Sequence, residues 1–214
     1  MTKSDMMDEL LFAYAAGKLD PAVGCVVGTH LALSDANRAA YARYEALGGV
    51  LLEGLAPEPV APRAFDRLMA AIDEAPIMVD DVTPRHCLDD DIPEPLAHLI
   101  NGRIDELPWG RFGPVSEITL DVPSDGYKLS LLRLRAGRAV PKHTHEGQEL
   151  TVVLRGGFAD GVGHYRRGDL SIADGLIDHQ PVADDDEDCY ALAVTDAPLR
   201  LTGLVGRLFN PLLR

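Results

Sequence analysis

The sequence predicts an α+β chain in two domains: a small all-α domain over residues 1–75, then an antiparallel all-β sandwich or barrel over residues 96–214. Three observations predict it. Up to about residue 75, apolar residues recur at helical spacing. From Ile118 onward they recur at every second position, in short runs broken by glycine and proline. Between these lies APIMVDDVTPRHCLDDDIPEP, acidic and proline-punctuated with neither period, which marks residues 76–95 as a linker. The chain has 214 residues, 46% of them hydrophobic, enough for real cores in both halves.

In the first half, Ser4 or Asp5 is a candidate N-cap for a helix whose Leu10, Leu11, Tyr14 and Ala15 share spacing until Gly17 stops it. Asp20-Pro21 opens a second helix with Val23, Val26, Val27, His30 and Leu31 on one face. Ser34-Asp35 can cap a third running to about Leu55. After the proline-bearing LAPEPVAPRAF, residues Phe65, Leu68, Met69 and Ile72 mark a fourth amphipathic helix. A short helix near Pro95 to Asn101 precedes the strands, which show Ile118, Leu120 and Val122, then Leu129, Leu131 and Leu134. No internal repeat is found.

The chemistry concentrates in the second half, in KHTHEGQE at residues 142–149. His143 and His145 are i and i+2, so on a strand both imidazoles leave the same face, as two ligands of one ion must. Glu149 returns from the next strand after a bend eased by Gly147. His179, beyond the turn-like ADG at 173–175, is a fourth candidate on a later strand. Isolated histidines are ordinarily core or surface residues, but three buried imidazoles and an acid call for a compensating charge or mutual pairing. Such a set suits Zn, Fe, Mn or Ni alike. His86, His98 and His164 have no such partners nearby and are expected at the surface or in loops.

The formal net charge of −14 opposes direct nucleic-acid binding, which depends on lysine and arginine neutralising phosphate, and favours a basic protein partner. No apolar run is long enough to cross a bilayer, and the acidic N-terminal stretch does not resemble a signal peptide. Together with three scattered cysteines, Cys25, Cys87 and Cys189, expected as buried thiols, this predicts a cytoplasmic protein. The acidic runs Asp80-Asp81, Asp89-Asp90-Asp91 and Asp184 to Asp188 are expected as solvated loops.

GRAVPKHTHEGQELTVVLRG, residues 137–156, resembles the first cupin motif, with Gly137, His143, His145, Glu149 and Gly156 at every fixed position. The second motif runs from Gly168 to His179 in register but departs at Asp174, Leu176 and Ala183, where the family has Pro, Gly and Asn. The resemblance implies a jelly-roll β-barrel holding one divalent metal, zinc foremost, on His143, His145, Glu149 and His179.

A helical domain ahead of a cupin resembles the ChrR-like anti-sigma factors. LLFAYAAGKLD at 10–20, VVGTHLALSDANRAA at 26–40 and CYALAVTDAPLRL at 189–201 carry the likeness along nearly the whole chain. It implies that the helices wrap an extracytoplasmic-function sigma factor, without catalysis. It also implies that the cupin senses an oxidative signal such as singlet oxygen, and that a homodimer can form when no sigma factor is bound. The family's helical domain carries a zinc motif, H-x3-C-x2-C, plus a histidine near the N-terminus. Here His30 is followed by Ser34 and Asn37, and Asp5 stands in the N-terminal region, so no zinc is expected in the N-terminal domain. Ser34 is then expected to cap a helix, with His30 hydrogen-bonded and partly buried. The same ligand set also serves cupin dioxygenases, and a metal-bearing cupin that binds a small ligand is a third alternative.

Overall fold

The computed structural model describes residues 3–75, 87–112 and 114–202. His86, Asp80-Asp81, most of the linker and the last residues of the expected cupin segment lie outside the described residues.

Four helices open the chain. Helix α1 spans Lys3–Ala15, so Ser4 and Asp5 sit inside its first turn instead of capping it. Gly17, at φ 62°, takes the left-handed conformation that closes a helix end, and Lys18 N–H bonds Ala13 O behind it. Helix α2 spans Pro21–Leu33 and starts as its sequence predicts, with the Asp20 carboxylate accepting from Ala22 N–H at 2.8 Å. The face containing Val23, Val26, Val27, His30 and Leu31 is buried throughout. Helix α3 spans Asp35–Glu53. Ser34 occupies its N-cap position, but the hydroxyl makes no capping bond. Arg38 reaches back instead, donating to the α2 carbonyls Leu31 O and Ala32 O, which have no helical partner. Helix α4, Ala64–Glu74, buries none of its residues. A single turn, α5, follows at Glu94–Ala97.

Among the described residues, the β half contains eleven short strands. Six form an antiparallel sheet in the order β1 (Gly110–Phe112), β2 (Val115–Leu120), β3 (Lys128–Leu134), β10 (Cys189–Thr195), β5 (Glu149–Arg155), β8 (Leu170–Ala173). Two smaller sheets face it: β11 (Leu199–Leu201) with β4 (His143–His145), and β7 (His164–Arg166), β6 (Gly157–Ala159), β9 (Val182–Ala183). This is the two-walled arrangement expected of a cupin, with a cavity of about 550 Å³ between the walls.

Strand periodicity sorts the residues of the large sheet onto two faces. Leu129 and Leu131 of β3, Tyr190, Leu192 and Val194 of β10, and Leu150, Val152 and Leu154 of β5 face outward. There they share one apolar cluster with Val23, Val26, Val27 and Leu31 of α2 and Leu96 beside it. Ser130, Leu132, Ala191, Ala193, Glu149 and Thr151 face the cavity. The far end of the interior is packed by Leu134, Val153, Phe158 and Cys189. The second helix is therefore the outer layer of the β half, and its buried face has the sheet as its partner. It is tied at both ends. Asp20 accepts from Ser124 Oγ and Asp125 N–H in the β2–β3 loop. At the other end, His30 bonds Gly168 O in the β7–β8 turn.

The acidic stretch 89–91, expected as a solvated loop, is part of this framework. The Asp89 side chain is 2% exposed, accepts from Ile104 N–H at 2.6 Å and pairs with Arg103. Arg155 forks between Asp91 and Asp105, and Arg167 donates to Asp91 O. In the later run, Asp188 pairs with Arg133 and caps Ala136 N–H, while Asp185, Asp186 and Glu187 are exposed. An aspartate becomes structural where an arginine or an unpaired N–H lies opposite it, and only the fold brings those together. Cys189 is buried and its thiol is pushed up to about 12 by burial; Cys25 and Cys87 are half-buried. Among the described residues, no helix is long and apolar enough to cross a membrane.

Candidate metal centre

Strand β4 is three residues long and consists of His-Thr-His, so alternation alone sends His143 and His145 inward and Thr144 out. His143 is locked to His179 by a two-way backbone bridge, each N–H bonding the other's carbonyl at 3.0 Å. This bridge brings residues 36 positions apart into side-chain contact. The turn before His179 forms without the usual proline and glycine. Asp174 accepts from Leu176 N–H and its carbonyl from Ile177 N–H, and Leu176 points into solvent. Gly137 and Gly156, at φ 65° and 69°, hold left-handed turns that flank the motif.

The three imidazoles are 3–4% exposed, and their Nε2 atoms converge, His179 to His143 at 3.1 Å and His179 to His145 at 3.2 Å. In two of them the other nitrogen fixes the proton. His143 Nδ1–H donates to Pro141 O at 2.8 Å, and His179 Nδ1–H donates to the Asp160 carboxylate at 2.9 Å. In those tautomers the Nε2 lone pairs of His143 and His179 point at one another, an arrangement that repels unless a cation lies among them. Two imidazoles bound tetrahedrally at ~2.0–2.1 Å place their nitrogens about 3.3 Å apart, close to the separations seen here. Burial holds the His143 and His145 imidazoles below the usual histidine range, in the neutral form that ligates metal. His143, His145 and His179 are thus a buried group able to hold a metal ion.

Glu149 opens β5 and lines the same cavity. Its Oε2 lies 3.5 Å from His145 Nδ1, and its Oε1 accepts from Thr151 Oγ1 at 2.8 Å. His145 Nδ1 is otherwise buried without a hydrogen bond. Gly147 serves the bend by close approach: a side chain there would collide with the Asp196 carboxylate, which accepts from Gln148 N–H.

Asp160 was not evident from spacing. Its side chain is 1% exposed, accepting from Val162 and Gly163 N–H as well as from His179. Burial pushes its carboxyl up, but those bonds outweigh it and hold the group below the usual range. A carboxylate behind a ligating histidine fixes the ring and strengthens its donor nitrogen. The only trace in sequence was an ordinary Asp-Gly turn, in which the same carboxylate also closes the loop.

The other described histidines take local roles. His164, on the edge strand β7, meets Asp184 at 2.9 Å, and His98 bonds Glu94 O. His30, in the helical half, has both ring nitrogens engaged: Nδ1 with Gly168 O and Nε2 with Asn37 Nδ2, each at 2.7 Å. The carbonyl accepts the Nδ1 proton, and the amide donates to Nε2.

The family model described as the ChrR cupin-like domain matches residues 99–198, the span holding every residue of this centre. The anti-sigma-E factor ChrR of Cereibacter sphaeroides is 38% identical over 208 residues, 97% of this chain and 96% of its own. The crystal structure of Rhodobacter sphaeroides SigE in complex with the anti-sigma ChrR superposes with a TM-score of 0.77 at 37% identity. It covers 88% of this chain and 96% of that one. With such identity sustained across both the helices and the cupin-like half, this chain belongs to the ChrR family of anti-sigma factors.

Proposed function

We propose that this protein sequesters an extracytoplasmic-function sigma factor through residues 1–75, in the cytoplasm, by stoichiometric binding without catalysis. The observation that carries this is helix α4. Phe65, Leu68, Met69 and Ile72 recur at i, i+3, i+4 and i+7 and are 73%, 59%, 41% and 57% exposed. A helix with its whole apolar stripe in water needs a partner, and such a stripe fits a groove on another protein. The end of α3 adds Val50, Leu51 and Leu52, each at least 65% exposed. By contrast, Leu11 of α1 is fully buried, and Leu10 and Tyr14 pack beside it, so these residues belong to the core. The net charge of −14 favours a basic partner surface and disfavours direct contact with nucleic acid. Without a sigma factor, the same exposed stripe would drive pairing of two copies.

Residues 96–214 would hold the regulatory metal, zinc foremost, on His143, His145 and His179, with Glu149 as fourth ligand. Such an ion could register an oxidative signal such as singlet oxygen. Glu149 and Leu150 are neighbours on β5, one facing the cavity and the other facing the cluster shared with α2. A change at the ion is therefore one strand away from the helices. The helical half would carry no zinc, since both nitrogens of His30 already have protein partners.

The test is co-expression with the sigma factor encoded beside the gene. A one-to-one complex is expected, and replacing both Phe65 and Ile72 with Glu should abolish it while the free protein keeps its thermal stability. If no complex forms with the wild-type chain under reducing conditions and with the cupin metal loaded, the anti-sigma function is wrong. Metal analysis of the full chain should find one ion, removed by His143→Ala; a second tightly held ion would show that the helical half has a site.

A further inference from the structure

The cavity beside the histidines is much larger than an ion requires. Its roughly 550 Å³ lies within the ~300–1,000 Å³ usual for small-molecule sites. The strand CYALAVT builds it: the outward positions Tyr190, Leu192 and Val194 are bulky, whereas the inward Ala191 and Ala193 are small and leave the wall recessed. Leu132, Phe158, Leu199 and Leu201 make the rest of the lining largely apolar. Gly126, Lys128, Asp196 and Pro198 line it and are exposed, marking a mouth.

The polar side chains on β2, β3 and β5 that face the cavity are already paired. Glu117 accepts from Lys128 and Ser130, and Glu149 accepts from Thr151. The Glu117 group stands on the far strands: β3 is two strands from β5, about 10 Å at ~4.8 Å per strand. Ser171 and Thr195 add two small hydroxyls, and Lys128 and Asp196 stand at the exposed mouth, so a ligand inside meets the ion as its charged anchor and largely apolar walls beside it. Three neutral imidazoles and one carboxylate leave a divalent ion with a net positive charge, which favours an anionic oxygen.

We infer that the cupin cavity is a binding site for a small monocarboxylic acid with a hydrocarbon body, its carboxylate directed to the metal and its chain lying along Ala191, Ala193 and Leu132. This rests on the metal-site assignment above. The ligand would take a fifth position at the ion beside the four protein ligands, which would make the cupin half a receptor for an apolar acid as well as a metal carrier.

Equilibrium dialysis of decanoate against the full-length zinc-loaded chain tests it. One decanoate per chain is expected, at least a hundredfold weaker after chelation of the metal, with acetate and decanol each at least a hundredfold weaker than decanoate. Ala193→Phe should retain zinc and lose decanoate. Should that variant not fold, Ala191→Leu fills the same wall more gently and should weaken decanoate at least tenfold. A zinc-loaded chain that does not bind decanoate, or binds decanol equally well, overturns the inference and leaves the metal site standing. A chain that takes up no metal overturns the assignment beneath it.

Discussion

The Asp160 carboxylate and the Asn37 amide each do their work through a histidine, and each does so differently. Asp160 orients His179 toward the other two imidazoles, so Asp160→Asn should lower metal affinity about 10- to 100-fold with the fold intact. Competition with a chromogenic chelator measures this, and unchanged affinity would make Asp160 a loop-closing residue only. Asn37 stands where the resemblance predicts a thiolate, and it donates to His30, whose other nitrogen bonds the β half. Where the resemblance implies a zinc ligand, His30 is here a hydrogen-bonded joint. Its pKa is lowered, by burial first, and it stays neutral in that joint.

Helix α2 joins the two halves by packing across strands β5, β10 and β3. Leu192 is fully buried on the outer face of β10, and Leu192→Ala should cost about 2–5 kcal/mol of stability with metal content unchanged, because the cavity side is untouched. Gly168 closes the β7–β8 turn at φ 88°, with Leu33 O 3.0 Å from where a Cβ would sit. Gly168→Ala combines backbone strain with a clash against the end of α2, and should destabilise the protein by about 1–3 kcal/mol. Calorimetry checks both. Helix α4 has the opposite character: single substitutions on its exposed stripe should leave stability within ~0.5 kcal/mol and appear only in sigma binding.

For the whole molecule, acid stability follows from carboxylates tied across segments. Asp105 is held below its usual range by the Tyr190 hydroxyl and Arg155. Asp20 and Asp188 are lowered despite some burial, through Ser124 and Asp125 N–H in the first case and Ala136 N–H and Arg133 in the second. A carboxylate with a depressed folded-state pKa contributes stability above its unfolded value, ~3.9, and loses that contribution as pH falls through the folded value. The buried, neutral His30, His143 and His145 add an earlier loss, because the unfolded chain protonates them first below about pH 6.5. The melting temperature should therefore begin to fall below about pH 6.5 and fall further below about pH 4, and Asp188→Asn should flatten that lower limb. Much of this architecture was legible beforehand, since helix spacing, strand alternation and the HxH motif are local patterns that persist in the folded chain. The sequence by itself determined the helical and β halves, the inward pair His143 and His145, and the amphipathic stripe of α4. Only the tertiary structure decided that α2 is the outer layer of the large sheet, that Asp89 is buried beneath Arg103, and that Asp160 stands behind His179. Those outcomes depend on which distant N–H, arginine or imidazole a residue meets, and a one-dimensional pattern records a residue's period but not its partner.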